Sequence, residues 1–354
     1  MKKHKFWFIL LAAVLLTGCA GCAVSEEEEI NTGHLTLMTW NVHNLFDGID
    51  NGNEYDEFLQ SSGWSTEKYL GRINTISDAI GRISPQPDII MLQEIESLRI
   101  LEDLAYAMES GYKWSHFAKN PGSAIGIGIM SRYPLLDVMA HSVTVEDDTA
   151  PRPVLEVRVE VAEEFVIFVC HWKSKIGGDE ATERTRKASA RVILRRIREL
   201  GSDEPEVGII VAGDLNLNHD EFYRQNAERI CALMPDDIYS AQFTAGIQND
   251  YIVISRNKPP LPVHFPQETI VLFSPWIREL ENGTYFYRNN WETIDHFLLS
   301  NRFFEDTGWT YVKTTIINFP PFANASGIPV PYNTRTGLGI SDHLPLVLEL
   351  RMKN

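Results

Sequence analysis

Short stretches of alternating or continuous hydrophobic residues recur along the chain, and their lengths and spacing predict β-strands. The segment HLTLMTW at 34–40 alternates and ends at the polar residue Asn41. VLEVRVEV and EFVIFVCHW are close enough to form a hairpin that turns around 162–164. The other predicted strands are PDIIMLQEI at 87–95, AIGIGIMSRYPL at 124–135, VGIIVAGDLN at 207–216, TIDHFLLS at 293–300, GWTYVKTTII at 308–317 and the run that ends at 350.

Three longer segments have the spacing of amphipathic helices. Residues 65–83 place Tyr69, Ile73 and Ile76 on one side of a helix, with Ser65 or Thr66 as its N-cap. Residues 97–108 predict a second helix, and 179–200 predict a third that is rich in Lys and Arg. Many strands interleaved with a few helices predict an α/β fold of two sheets packed face to face, with helices outside. We expect a single domain over 34–354.

Two segments lack a clear periodic pattern. Residues between 216 and 294 are rich in Pro and aromatic side chains, and we interpret them as a surface excursion. Residues 318–337 contain repeated Pro, Asn and Gly, which predicts a loop. No internal repeat accompanies these segments.

The charge of the chain limits the classes of function. Its 354 residues are 44% hydrophobic and carry a net charge of −16. A protein that binds nucleic acid through bulk charge is normally basic. The composition therefore excludes a purely electrostatic nucleic-acid binder, but it is compatible with an enzyme that meets phosphates through bound cations.

The first 33 residues predict export. A basic start is followed by an apolar run that is too short to span a bilayer, as in a signal peptide over 1–18. The segment LTGC resembles a bacterial lipoprotein processing site, with Cys19 as the lipidated residue; an ordinary signal peptide is the alternative. By resemblance to the known sorting of such lipoproteins, Ala20 after the cysteine favours the outer membrane over the inner, and the acidic residues of 19–33 predict a tether. The three remaining cysteines have no regular spacing, so they predict neither a disulfide framework nor a metal site.

Polar side chains stand where the predicted strands end or begin. A single one has an ordinary explanation, because turns need polar residues. Six strand ends that all deliver carboxylates, carboxamides or imidazoles favour a shared site. These residues are Asn41, Glu94, His171, Asp214, Asn216, Asp295, Asp342 and His343.

The residue types suit phosphate chemistry. Asn41, Glu94 and Asp342 offer the oxygen ligands that Mg²⁺ prefers. Mn²⁺ and Ca²⁺ are alternative ions for the same ligands. Stabilisation of the charge that develops on phosphoryl oxygens is the main catalytic requirement of such reactions.

The remaining polar residues predict acid–base groups. Asp214 can accept a proton from an attacking water while Asn216 fixes the geometry. Asp295 paired with His343 can hold a protonated imidazole beside a phosphate.

The sequence resembles the endonuclease/exonuclease/phosphatase superfamily. This superfamily includes pancreatic-type deoxyribonucleases, apurinic endonucleases, neutral sphingomyelinases and inositol-polyphosphate 5-phosphatases. The matching motifs are TWNVHNLFD, DIIMLQE, GIGIMSRYP, HWKSK, GDLNLN, IDHFLLS and SDHLP. They occur in the family's order and cover nearly all of 35–350. The resemblance implies a four-layer α/β sandwich with the active site at one edge, where the two sheets meet.

The resemblance also implies a role for each residue. Asn41, Glu94 and Asp342 match the metal positions, and Asp214 with Asn216 match the pair that orients water and phosphate. Asp295 matches the partner of His343, which contacts the scissile phosphate. His171 matches a second histidine of the deoxyribonuclease branch. That branch pairs this histidine with a glutamate, but GSAIGIGIMS has no carboxylate. This departure favours His171 as a phosphate donor over a full acid catalyst.

The segment that follows His171 is basic. By resemblance to secreted bacterial nucleases, Lys173 and Arg152 are expected to contact phosphate. The basic residues of the segment predict either a phosphate-steering strip or a solvated helix face; they are Lys173, Lys175, Arg184, Arg186, Lys187 and Arg191.

Three functions are compatible with these features. The first is a surface-anchored Mg²⁺-dependent nuclease that cleaves DNA or RNA, which HWKSK and His171 favour. The second is a phosphodiesterase that acts on lipid head groups such as sphingomyelin. The third is a surface adhesin without catalysis, which would be marked by loss of Asp214, Asn216 or His343; all three are present. Nucleic acid and, through Cys19, a membrane are the expected partners, and no obligate protein partner is implied.

Overall fold

A computed structural model describes residues 33–146, 148–150, 152–203, 207–238, 250–259, 269–277 and 279–354. The predicted signal peptide, Cys19 and all but the last residue of the tether lie outside these ranges, so the division of the chain into these segments stays a prediction. No helix within the described ranges combines the length and apolarity needed to cross a bilayer.

The described residues form the following elements. The first nine strands are β1 His34–Leu45, β2 Ile89–Ile95, β3 Trp114–Ala118, β4 Gly126–Ser131, β5 Leu135–His141, β6 Thr144–Val145, β7 Asp148–Thr149, β8 Val154–Val159 and β9 Phe165–His171. The later strands are β10 Gly208–Asp214, β11 Leu233–Pro235, β12 Ile252–Ser255, β13 Val271–Phe273, β14 Tyr285–Tyr287, β15 Asn290–Glu292, β16 Asp295–Leu299, β17 Gly308–Ile316 and β18 Leu346–Lys353. The helices are α1 Thr66–Gly81, α2 Leu98–Met108, α3 Asp179–Asp203 and α4 Glu221–Arg224.

The strands form two large mixed sheets. The first has six strands in the order β17-β18-β1-β2-β4-β3, and the second has eight in the order β11-β12-β13-β16-β10-β9-β8-β5. Within the first sheet β1 runs parallel to β2, and within the second β9 runs parallel to β10. The other pairings among β1, β2, β9, β10, β16 and β18 are antiparallel.

Apolar side chains fill three interfaces between four layers. Alternation along β1 directs Leu35 and Leu37 into the interface between the sheets, whereas Met38 and Trp40 pack beneath α1 and α2. A third apolar cluster joins the second sheet to α3. This arrangement confirms the predicted four-layer α/β sandwich.

Helix α1 follows its predicted pattern closely. The Ser65 side chain accepts a hydrogen bond from the backbone N–H of Lys68, which caps the first turn. Tyr69, Ile73 and Ile76 are all buried against the first sheet. Burial of such side chains stabilises a fold by about 1.5–3 kcal/mol each, so the apolar stripe accounts for the position of the helix.

The interpretation of 216–294 as a surface excursion is wrong for its described part. Strands β11, β12 and β13 extend the edge of the second sheet, and Met234, Val253 and Ile254 are almost fully buried. These strands are only three or four residues long, which is too short for a periodic pattern to be visible. Strands β3 and β5 were also absent from the predicted set.

The topology brings six strand ends to one edge of the sandwich. The parallel pairs β1–β2 and β9–β10 end there, and the antiparallel strands β16 and β18 begin there. The polar residues at these strand ends therefore lie close together because the directions of the strands bring all six ends to the same edge.

Candidate active site

Three predicted site residues are neighbours across the second sheet. Asp214 at the end of β10 is in register with His171 on β9 and with Asp295 on β16. All three side chains are buried. The Nε2 atom of His171 lies 3.6 Å from Oδ2 of Asp214 and 3.7 Å from Oε1 of Glu94. Adjacent strands therefore place an imidazole and two carboxylates side by side.

Asn41 connects the two sheets. Its Nδ2 donates to Oε1 of Glu94 at 3.1 Å and to Oδ2 of Asp214 at 3.1 Å. Its Oδ1 accepts from the backbone N–H of His43 at 3.0 Å. In this arrangement the carboxamide holds two carboxylates together, and its predicted role as a metal ligand stays a prediction.

Irregular backbone points the acidic groups into the site. Both β1 and β2 depart from regular register at this end, and His43, Asn44 and Glu94 have φ values of 56°, 56° and 64°. Positive φ is uncommon for residues other than glycine and tends to be kept at functional sites. The backbone N–H of Asn44 donates to Oε2 of Glu94 at 2.9 Å, which fixes the carboxylate.

A buried arginine holds the irregular end of β1. The Arg72 guanidinium donates to the backbone carbonyls of Asn44 and His43, at 2.6 Å each, and to that of Val42. It also lies 4.1 Å from the ring centre of Tyr332. Burial lowers the pKa of Arg72 to about 10, even though the nearby acidic charges act to raise it. Arg72 thus satisfies carbonyls that would otherwise be buried without a partner.

His343 and Asp295 form a buried pair. Nδ1 of His343 lies 2.8 Å from Oδ2 of Asp295, which also accepts from Oγ1 of Thr284 at 2.5 Å. Burial alone would lower the pKa of His343, but the charge and hydrogen bond of Asp295 outweigh it and raise the pKa to about 10. The imidazole is therefore a cation at neutral pH.

The backbone around His343 is also anchored. Its carbonyl accepts from the Trp40 indole at 2.9 Å, and its N–H donates to Oγ of Ser341 at 3.0 Å. The Ser341 hydroxyl donates in turn to the carbonyl of Asn41 at 2.6 Å. The Ser-Asp-His triplet at 341–343 is thus tied to β1, the strand that carries Trp40 and Asn41.

The pKa of Asp214 is raised like that of His343, whereas the pKa of His171 is lowered. Burial, followed by the charge of Asp295, raises the pKa of Asp214 to about 7. Burial, then the charge of Arg152, lowers the pKa of His171 well below its ordinary value. Its Nδ1 atom is buried without a hydrogen-bond partner among the described residues. At neutral pH the site combines a neutral imidazole, a cationic imidazole and a carboxylate close to its titration point.

Asn216 orients Asp214 through the main chain. It has a φ of 51°, and its backbone N–H donates to Oδ1 of Asp214 at 2.9 Å. Its Nδ2 donates to the carbonyl of Trp172 at 3.1 Å, and the same carbonyl accepts from Nη1 of Arg152 at 2.6 Å. Arg152 and Asn216 therefore meet at one backbone oxygen beside the site.

The donor set suits a hard divalent cation. Asp214, Asp295 and His343 offer ligand atoms within 4.8 Å of one another. Because Asp295 holds His343 as a cation, the imidazole is unsuited to ligate a metal, and the negative charge of this group comes from its two carboxylates. Oδ1 of Asp295 is buried and has no partner among the described residues. Oxygen ligands of this kind are typical of Mg²⁺, Mn²⁺ and Ca²⁺ sites.

Asp342 lies at the more open side of the site. Its Oδ2 atom is 3.9 Å from Nε2 of His43, and its side chain is 25% exposed. The side chain of Glu94 is 16% exposed. These two carboxylates, the most accessible of the set, are the ones that sequence motifs place at the metal.

The basic segment is largely neutralised by ion pairs. Arg186 is fully buried and contacts Asp179 and Glu183, both at 2.7 Å. Three other residues of the segment also meet carboxylates: Lys175 meets Glu221, Arg184 meets Glu146 and Arg191 meets Asp250. A continuous phosphate-steering strip is therefore not formed by these side chains.

Lys173 differs from the rest of the segment. Its Nζ atom approaches only Oγ of Ser174 at 3.5 Å and the carbonyl of Ile176 at 3.4 Å among the described residues. Burial and then the charges of Arg152 and Arg186 lower the pKa of Lys173. Lys173 and Arg152 remain the candidates for contact with an anion.

Two contributors were not identified from the sequence. Arg72 lies on the apolar side of α1, and an arginine within such a stripe is the signal that could have found it. Tyr285 packs its ring against His343 at 4.7 Å between ring centres. The sequence signal for Tyr285 is its alternation with Tyr287 before a turn, within the part of the chain that lacks a clear periodic pattern.

Part of the chain matches a family of known proteins. Residues 36–231 match the sequence model of the Endonuclease/Exonuclease/phosphatase family. No curated protein sequence matches the chain.

Solved structures share the fold at low sequence identity. Truncated TDP2 of Caenorhabditis elegans is 13% identical, with a TM-score of 0.53 over 90% of this chain and 98% of that one. The human Nocturnin catalytic domain with bound sulfate is 16% identical, with a TM-score of 0.52 over 92% and 95%. TDP2 of D. rerio in complex with a single-strand DNA product is 16% identical, with a TM-score of 0.51 over 90% and 99%.

The family match extends through β1, β2, β9 and β10, which carry Asn41, Glu94, His171 and Asp214. The remaining part of the site lies on β16 and before β18, in the same fold as the solved structures. Members of this family are hydrolases that act on phosphodiester bonds and generally depend on a divalent metal. The chain belongs to the Endonuclease/Exonuclease/phosphatase family.

Proposed function

We propose that this protein is a Mg²⁺-dependent nuclease that cleaves DNA by attack of water on phosphorus. The observation that carries the proposal is the register of His171, Asp214 and Asp295 across the second sheet, with His343 held as a cation by Asp295. Mn²⁺ and Ca²⁺ remain alternative ions, and RNA remains an alternative substrate.

Each residue would have a distinct role. A bound Mg²⁺ would polarise the scissile phosphate and offset its charge. Asp214, with a pKa raised by burial to about 7, accepts the proton of the attacking water, and the backbone N–H of Asn216 orients it. His343 faces the phosphoryl oxygens as a cation, and Asp295 keeps it protonated. Neutral His171 donates a hydrogen bond to the phosphate.

The metal ligands are proposed from accessibility and charge. Glu94 and Asp342 are the most exposed carboxylates of the site, and Asn41 fixes Glu94 through a hydrogen bond of 3.1 Å. Lys173 and Arg152 would contact a neighbouring phosphate. A nucleic acid substrate is supported by the D. rerio TDP2 complex, which contains a single-strand DNA product.

The alternatives make different predictions. A lipid head-group phosphodiesterase would use the same catalytic residues on a substrate such as sphingomyelin. A surface adhesin would have no need for the paired His343 and Asp295 or for the positive φ values of Glu94 and Asn216. We therefore favour an enzyme over an adhesin.

Nicking of supercoiled plasmid DNA tests the proposed function. We expect the purified protein to nick plasmid with Mg²⁺ or Mn²⁺ and to lose this activity with a chelator, because the carboxylates need a cation to meet an anionic substrate. Gel electrophoresis measures the nicked form, with single-stranded RNA and sphingomyelin vesicles as parallel substrates. Cleavage of sphingomyelin without cleavage of DNA or RNA would favour the lipid phosphodiesterase.

We further propose that the protein is a lipoprotein of the outer membrane, anchored through Cys19. The proposal rests on the basic start, the apolar run and LTGC at 16–19. In its bacterial host, Cys19→Ser is expected to abolish incorporation of radiolabelled palmitate and to move the protein out of the membrane fraction. Cys22→Ser is the matched control and should leave both unchanged. Membrane fractionation of Cys19→Ser like that of the parent protein would contradict the anchor.

A further inference from the structure

A row of side chains extends from His343 to the solvent. The Tyr285 ring packs on the imidazole at 4.7 Å, with an angle of 30° between the planes. The rings of Tyr287 and Tyr285 are stacked, with 6.1 Å between their centres and 14° between their planes. The Arg288 guanidinium lies 5.0 Å from the Tyr287 ring centre. Tyr287 is 48% exposed, so the row ends in an open aromatic surface next to the catalytic pair.

The row is held by a short hairpin. Strands β14 and β15 are joined by Arg288 and Asn289, whose φ values are 48° and 65°. Two successive residues with positive φ are typical of the tight type I′ turn. On the strand's other face, Phe286 packs on its cross-strand partner Trp291 at 5.0 Å. Since Trp291 packs on the core beneath α1 and α2, the hairpin is fixed to the body of the protein.

The hairpin is also bonded directly to the catalytic residues. Tyr285 and His343 form an antiparallel bridge, and the N–H of Leu344 donates to the carbonyl of Thr284 at 2.8 Å. The Thr284 hydroxyl donates to Asp295. The position of the tyrosine row is therefore set relative to the imidazole that faces the phosphate.

The turn sequence is unusual for its geometry. Type I′ turns favour Asn, Asp and Gly because these residues adopt positive φ at little cost. Asn289 fits this preference, but Arg288 does not. Its guanidinium lies 5.0 Å from the centre of the Tyr287 ring, so the turn position places a cation beside the exposed aromatic surface. Aromatic rings combined with arginine are the usual means of binding single-stranded nucleic acid.

We propose that Tyr285, Tyr287 and Arg288 form a base-stacking surface, so that the enzyme selects unpaired nucleotides: single-stranded DNA or frayed ends. The inference rests on the proposed nuclease function and specifies its substrate. A base within a duplex is already stacked on its neighbours, whereas an unpaired base can lie on an exposed ring. A phosphate at His343 places the adjoining base beside Tyr285.

The test uses the full-length protein with Mg²⁺ and fluorescent oligonucleotides. KM and kcat are measured on a single-stranded oligonucleotide, on its duplex, and on a single strand with abasic residues flanking the cleaved bond. We expect a higher kcat/KM on the intact single strand than on the duplex or on the abasic strand. Tyr287→Ala should raise KM for the intact single strand by about tenfold, the usual effect of losing one stacked base. Its kcat should change by less than about twofold, since Tyr287 is not next to the reacting atoms.

Two further variants separate stacking from other effects. Tyr287→Trp keeps an aromatic surface, so its KM for the intact single strand should be close to that of the parent protein and not to that of Tyr287→Ala. Tyr106→Ala is the matched control, because Tyr106 is an 86% exposed tyrosine on α2, outside the hairpin. For the abasic strand, Tyr287→Ala should add little further loss, because the base that it would bind is already missing.

The outcomes are distinguishable. Absence of cleavage of any nucleic acid by the parent protein would refute the proposed function and this inference with it. Cleavage of DNA with a KM that Tyr287→Ala leaves unchanged would refute the stacking surface alone, as would an equal effect of Tyr287→Ala on the intact and abasic strands. Weaker cleavage of sphingomyelin vesicles by Tyr287→Ala, with unchanged KM for DNA, would assign the row to a membrane and overturn the inference.

Discussion

Asp214→Asn is expected to lower the rate of DNA cleavage by about a thousandfold and at the same time to stabilise the metal-free protein at pH 8. The loss of rate follows because an amide cannot accept the proton of the attacking water, and a positioned base contributes about 10²–10⁴-fold. The gain in stability follows from burial, since the substitution removes a carboxylate that lies beside Asp295 and Glu94.

The sign of the stability change depends on pH. Burial raises the pKa of Asp214 from 3.8 to about 7. A raised pKa contributes stability that is fully present below about pH 4 and is lost as the pH rises through about 7. Asp214→Asn avoids this loss, so the gain should be greater at pH 8 than at pH 5. We expect an increase in Tm of about 2–4 °C at pH 8 with a chelator present.

Plasmid nicking and thermal unfolding with and without Mg²⁺ provide the measurements. Mg²⁺ should narrow the difference in Tm, because a bound cation offsets the buried negative charge. The control is Asp78→Asn, which changes an exposed carboxylate on α1 and should affect neither quantity. Retention of more than a tenth of the activity in Asp214→Asn would contradict the role of Asp214. A Tm gain that is larger at pH 5 than at pH 8 would contradict the account of its burial.

The central strands and α1 are the part of the fold that the sequence predicts. The apolar runs determine the central strands and α1, because each run buries a face that must meet another layer. These elements place Asn41, Glu94, His171 and Asp214 at their ends, so their proximity follows from strand direction. Asp295 and His343 follow the same rule on β16 and before β18.

The unpredicted parts have a different physical origin. Strands β11, β12 and β13 are set by pairing with β16 and with one another, and their length is too short for alternation to mark them. The Tyr285 hairpin is positioned by the hydrogen bonds that its neighbour Thr284 makes with Asp295 and Leu344. Contacts of this kind link segments that are distant in sequence, and local pattern carries no information about them.

The charge of the basic segment was likewise decided by ion pairs: those of Arg186 lie within α3, and that of Lys175 joins separate parts of the chain. A run of Lys and Arg in the sequence is compatible with a free cationic surface, but Asp179 and Glu183 neutralise Arg186, and Glu221 neutralises Lys175. Burial of Arg186 required these carboxylates, since a buried charge is tolerated when it is paired. Helical spacing could have revealed the partners of Arg186, whereas the pairing of Lys175 with Glu221 depends on the fold.

Asp295→Asn is expected to move the pH dependence of DNA cleavage to lower pH. In the parent protein the rate should rise as Asp214 loses its proton and fall in the alkaline range as His343, whose pKa Asp295 raises, loses its own proton. The charge of Asp295 is the main influence that keeps the pKa of His343 high against burial, so its removal lowers that pKa. The same charge raises the pKa of Asp214, which therefore falls as well. Both limits of the profile should therefore move toward acid, and kcat/KM at pH 8.5 should fall by about a hundredfold.

The stability of the same variant provides an independent measurement. The raised pKa of His343 contributes stability that is fully present below about pH 6.5 and is lost as the pH rises through about 10. Free energies of unfolding between pH 6 and pH 10 should therefore decline less steeply in Asp295→Asn than in the parent protein. The matched control is Asp306→Asn, because Asp306 pairs with Lys353 at the opposite end of β18 from His343.

The pH profile separates a specific effect from a general loss of structure. A damaged site would lower kcat/KM by the same factor at every pH, whereas loss of the pairing charge lowers it mainly on the alkaline side. Partial recovery of activity at about pH 6 in Asp295→Asn is therefore the decisive result, since His343 regains its proton there. A profile that kept its parent shape at reduced height would show that Asp295 supports the fold of the site without setting the charge of His343.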